Sequence, residues 1–109
     1  MNRKEFDSLD FTKKVMAIQQ IKDPELLEYI SEKPFLILKE LVAGNPNTSY
    51  DTLSRLSKEK SSNLLKSIVD NPNCDINLIW KVYNTTTDIH VRKYISDKYD
   101  ERGISILNL

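Results

Sequence analysis

Cys74 and His90 are the only cysteine and the only histidine in this sequence. Together they are the one pair of side chains with the makings of a nucleophile and its base. A thiolate activated by an imidazole attacks acyl carbon, but the imidazole needs a third group to orient it. No such group stands at a recognisable spacing. The carboxylates, among them Asp23, Glu25, Glu28, Glu40, Asp51, Glu59, Asp70, Asp75, Asp88 and Asp97, are scattered. They form no calcium-loop spacing, and a two-histidine metal motif is ruled out by the single His. Gly44 and Gly103 are the only glycines, so no glycine-rich loop can cradle a phosphate. The sequence therefore assigns no catalytic residue, no cofactor and no metal. It leaves candidates for binding. Lys66 and Arg92 fall in one column of an internal alignment and are expected to neighbour each other, as a charged face or a small phosphate-binding ridge. Trp80 and Tyr83 are large aromatics where the alignment elsewhere has polar residues, and such residues dominate interface hot spots.

That alignment comes from self-similarity. Val42-Ala43-Gly44-Asn45-Pro46-Asn47 recurs as Ile68-Val69-Asp70-Asn71-Pro72-Asn73 at an offset of 26 residues. The register extends to four apolar columns: Leu27, Leu53, Ile79; Ile30, Leu56, Val82; Val42, Ile68, Tyr94; and Ala43, Val69, Ile95. A repeat of this length is the signature of a supersecondary unit that stacks on copies of itself. In the same register Trp80 replaces Glu28 and Ser54, and Tyr83 replaces Ser31 and Ser57.

Each unit reads as two short helices. The first spans about 24–32, 49–58 and 75–84, with apolar residues three apart on one face: Leu27 and Ile30; Tyr50, Leu53 and Leu56; Ile76, Ile79 and Val82. Asp23, Ser49 and Asp75 stand in one column as N-caps, and Pro24 follows at a position that tolerates its missing N–H. The second helix spans about 34–44, 61–70 and 87–99. It ends where proline forces the preceding asparagine out of helical geometry. That asparagine is expected to take a turn or left-handed conformation and to bond its local backbone. Ahead of the units, Arg3–Ile21 reads as a capping helix with Phe6, Leu9, Val15, Met16 and Ile18 apolar and a break near Asp10 or Thr12. His90 aligns with Leu38 and Leu64, as expected if the last unit turns polar where nothing further covers it. Ile104–Leu109 forms an apolar tail.

Bulk properties limit the function classes. The hydrophobic share is 39% and the charged share 29%, values of an ordinary globular chain. Sixteen basic residues balance 16 acidic ones, so the chain lacks the basic footprint of a nucleic-acid binder. A lone cysteine gives no disulfide framework. No signal peptide or membrane span is legible, so a cytoplasmic location is expected. The abundance of Asn, Lys and Ile fits an AT-rich bacterial or phage genome.

The Val42–Thr48 corner, its second copy at Ile68–Asn73 and the Val91-Arg92-Lys93-Tyr94-Ile95 segment resemble the variant leucine-rich repeat family, related in logic to HEAT and armadillo repeats. The resemblance covers about residues 24–97. It implies an all-α, right-handed solenoid of 26-residue helix pairs, with short helices on one side and longer ones on the other. Some members carry an iron–sulfur cluster on a cysteine-rich segment, which this sequence does not contain. The expected organisation is one domain over 1–109: a cap at 1–22, about three helix pairs at 23–97 and a tail at 98–109. The expected function is non-enzymatic protein binding, as a small adaptor or a phage or bacterial inhibitor. The alternatives are self-assembly and weak nucleic-acid binding. Trp80, Tyr83, Lys66 and Arg92 are the candidate contact residues.

Overall fold

At every predicted helix start but that of the 34–44 helix, a side chain satisfies an orphan backbone N–H, and helices dominate the described residues. The structure, a computed structural model, describes residues 1–101, and the Ile104–Leu109 tail lies outside them. Among them are eight α-helices and no strand: α1 (Arg3–Ser8), α2 (Phe11–Ile18), α3 (Pro24–Ser31), α4 (Leu36–Gly44), α5 (Tyr50–Leu56), α6 (Ser62–Asp70), α7 (Ile76–Thr85) and α8 (Ile89–Glu101). Asp23, Ser49 and Asp75 accept from the N–H groups of Glu25, Thr52 and Leu78 at 3.0, 3.3 and 2.9 Å. The expected N-terminal helix is two helices. Asp10 caps α2 through Lys13 N–H at 2.9 Å, and the chain turns at extended Leu9. At the other end α8 continues through Glu101, so the expected tail boundary at 98 falls inside a helix.

The helices α2, α4, α6 and α8 pack side by side in that order, and α3, α5 and α7 pack against them. The core runs between, filled by Leu27, Ile30, Leu38, Val42, Leu53, Leu64, Ile68, Ile79, Val82 and Ile95. The molecule is elongated, 47 × 22 × 20 Å. Three apolar residues placed on the buried stripe are exposed instead: Met16, Tyr50 and Ile76. Tyr50 and Ile76 open their helices, so they sit at the rim. The face is completed by a column the apolar pattern missed, Leu26, Thr52 and Leu78, all buried. Thr52 is compatible with burial because its hydroxyl accepts from the Ser49 hydroxyl at 3.1 Å.

The Asn-Pro corners hold the stack together. Asn45 and Asn71 are 3% and 4% exposed. Their backbones are extended, with φ/ψ of −81°/124° and −72°/132°, not left-handed, because the following proline excludes the helical region. Each side-chain oxygen closes a local turn, accepting from the N–H of Asn47 at 2.8 Å or of Asn73 at 2.9 Å. Each amide then reaches back along the stack. Asn45 donates to the carbonyls of Ile18 and Ile21 at 2.8 and 2.9 Å. Asn71 donates to those of Ala43 and Asn45, both at 2.8 Å. Ile18 and Ala43 lie in the last turns of α2 and α4, where carbonyls have no intrahelical partner. Asn73 adds bonds to the Pro46 and Thr48 carbonyls at 2.8 and 2.7 Å.

Replacing Asn71 by Ala takes the partner from the Ala43 carbonyl and from the Asn73 N–H, at about 1–3 kcal/mol for each such group when buried, while the Asn45 carbonyl keeps the Thr48 N–H at 3.1 Å. Urea denaturation should therefore show Asn71→Ala less stable by about 2–4 kcal/mol, against a change within about 0.5 kcal/mol for exposed Asn63→Ala. Equal effects of the two changes would contradict the clamping role of the amide.

Candidate interaction surface

Trp80 and Tyr83, one turn apart on α7, are stacked with ring centroids 6.0 Å apart and planes at 11°. Both are half-buried and pack against the core. The Arg92 guanidinium, from α8, lies 4.7 Å from the Tyr83 ring centre. Lys66 does not join this stack. It lies 5.6 Å from the ring of Tyr94, whose hydroxyl donates to Asp70, the carboxylate that also receives Lys98. Lys66 and Arg92 are therefore engaged with different rings. The Tyr83 ring of α7 receives Arg92, and the Tyr94 ring of α8 receives Lys66.

Cys74 is half-buried, its Sγ 3.8 Å from the Asp75 carbonyl oxygen. Burial, with the Asp75 charge adding to it, pushes the thiol up to about 12, so it is protonated at neutral pH. His90 is exposed at the start of α8, where its backbone N–H donates to Asp88 at 2.9 Å. Among the described residues no hydrogen bond links the two side chains, and no group of three or more His, Cys, Asp or Glu residues gathers as a metal site. No described helix is long and apolar enough to cross a membrane.

Among the described residues a cluster of exposed apolar side chains lies elsewhere, at the starts of α2 and α4. Phe11 is 46% and Phe35 48% exposed, and their rings meet edge-on at 5.8 Å. Leu36 and Ile37 continue the cluster, each about half exposed. Phe35 occupies the N-cap of α4 and makes no side-chain cap bond. The other described helices begin on Asn2, Asp10, Asp23, Ser49, Ser61, Asp75 or Asp88, each accepting from a backbone N–H of the first turn. In the 26-residue register Phe35-Leu36-Ile37 aligns with Ser61-Ser62-Asn63 and Thr87-Asp88-Ile89. The same column test that singled out Trp80 finds these residues, but a short apolar run passes at first sight for core. The cluster gives up a helix cap, a local conflict of the kind that gathers at functional sites.

Comparison with protein-family profiles, with curated proteins and with solved structures finds no match.

Because little of the Cys74 thiol is ionised at pH 8, iodoacetamide should alkylate it more than about tenfold slower than free cysteine. In denaturant the two rates should converge. Fast alkylation of the folded protein would show an ionised, accessible thiol and reopen nucleophilic chemistry at this residue.

Proposed function

We propose that the chain is a non-enzymatic protein-binding module built as a right-handed solenoid of 26-residue helix pairs, similar to the variant leucine-rich repeats. Support for the repeat comes from Asn45 and Asn71, whose amides each donate to two backbone carbonyls 24 to 28 residues earlier, at or just past the end of the preceding long helix. On this reading residues 1–22 cap the stack, and the protein works in the cytoplasm, where a lone thiol such as Cys74 stays reduced.

The observation that carries protein binding is the uncapped, half-exposed Phe35 packed edge-on against Phe11. A serine here would cap α4 as Ser61 caps α6. An aromatic forgoes about 0.5–2 kcal/mol of capping and leaves apolar surface in water. Both costs are offset only when something covers the ring. Trp80 and Tyr83, with Arg92 on the stack, have most of their apolar contact satisfied within the chain and offer a smaller secondary face.

Phe35→Ser separates folding from binding. The new cap offsets the lost ring contact, worth about 0.5–1.5 kcal/mol, so thermal unfolding should shift little. In a pull-down from the native cell lysate, a protein retained by the wild type should be lost from the variant. An unchanged set of captured proteins would overturn the reading.

A further inference from the structure

The α5–α6 link and the end of α7 border a hollow of about 360 Å³. Lys58, Lys60 and Lys81 line it, together with Thr86 and Thr87. Among the described residues its lining holds one carboxylate, Glu59, which is already paired with Lys39 at 2.7 Å. No described carboxylate forms an ion pair with Lys58, Lys60 or Lys81. Three uncompensated ammonium groups around one concavity attract anionic partners. The chain as a whole is neutral, so this charge is local.

A side-chain bridge links the lining of the hollow to the helix that carries Leu36 and follows Phe35. Lys39 lies in the first turn of α4, and its backbone N–H donates to the Phe35 carbonyl at 3.2 Å. The Lys39–Glu59 bridge thus ties the rim of the hollow to the helix start that carries Phe35 and Leu36. Lys13, in the first turn of α2 beside Phe11, adds a further exposed cation. Acidic groups on the same edge are engaged within the chain: Asp7 with Lys33 at 2.8 Å, Asp10 and Asp88 as caps.

We propose that this edge receives an acidic peptide segment of another protein, its apolar side chains against Phe11, Phe35 and Leu36 and its carboxylates in the Lys58–Lys60–Lys81 hollow. The proposal rests on the protein-binding reading above and gives the partner its chemistry. Apolar burial on the phenylalanines supplies affinity, and the lysines supply orientation and rejection of basic partners. A nucleic acid fits the lysines and finds rings to stack on in Phe11 and Phe35, but Leu36 and Ile37 offer it nothing, and the neutral chain lacks the phosphate-neutralising charge on which such binding draws.

The test is selection from a random peptide display library against the full chain. Selected peptides are then titrated by fluorescence anisotropy against the wild type, Phe35→Ser and the triple variant Lys58→Glu/Lys60→Glu/Lys81→Glu, all shown folded by circular dichroism. The peptides should combine Asp or Glu with aliphatic or aromatic residues. Their affinity should fall about tenfold or more with the triple variant and weaken with salt. Peptides lost on Phe35→Ser but without acidic enrichment and indifferent to lysine reversal would overturn the acidic partner while the protein-binding face stands. Peptides indifferent to Phe35→Ser would overturn the face itself. An empty selection, self-association lost on Phe35→Ser, or tighter binding of an oligo-dT strand would each overturn the proposal, the last two assigning the edge to a second copy or to nucleic acid.

Discussion

The side-chain amide of Asn71 donates both of its protons to carbonyls of the preceding corner, and the amide of Asn45 donates to carbonyls at or just past the end of α2. The helices here are short, and most of them would not persist alone in water. Their ends are where the structure is weakest, because the last carbonyls of each helix have lost their partners and are partly buried. Proline makes the corner extended, which frees the asparagine side chain to reach across to the neighbour. Each amide therefore satisfies carbonyls at or just past the end of the preceding long helix and closes its own turn, in a site with almost no access to water. Among the described residues no buried side-chain nitrogen or oxygen is left without a partner. A buried polar group of this kind sets register as well as contributing stability, since a shift by one residue would leave several groups unsatisfied.

The corner geometry also decides what the two edges of the molecule display. With the C-terminal ends of α2, α4 and α6 bonded together, their N-terminal ends must gather on the opposite edge. The edge-on contact of Phe11 with Phe35 lies there, at the starts of α2 and α4, and so do the α5–α6 link and the end of α7. Asp23, Ser49 and Asp75 are spent as caps on the corner side. A neutral chain thereby presents a basic and apolar edge without a net basic composition. The charge count is the same whether the lysines are dispersed or collected around a hollow, so composition could not reveal this.

Helix positions were legible because caps and prolines act locally. Asp23, Ser49 and Asp75 start helices where the sequence places them, and Pro46 and Pro72 end them. The buried columns were legible from period and offset, except where a polar residue is buried, as at Thr52, or an apolar residue sits at a helix rim, as at Tyr50 and Ile76. The asparagines were recognisable as corners, but their bonds to residues 24 to 28 positions earlier depend on how the units stack. Trp80 and Tyr83 stood out as breaks in a polar column. Phe35-Leu36-Ile37 is an equal break, hidden because an apolar run next to buried Leu38 looks like core until the uncapped helix start is seen.

The coupling by asparagine is tested most directly by native-state hydrogen exchange on Asn71→Ala. If the amide joins the last helices to the rest, the backbone amides of α7 and α8 should exchange through an opening of lower free energy, while those of Leu27 to Ile30 in α3 keep their protection. An equal loss of protection across all helices would contradict the account, since Asn71 would then contribute to global stability without linking one helix pair to the next.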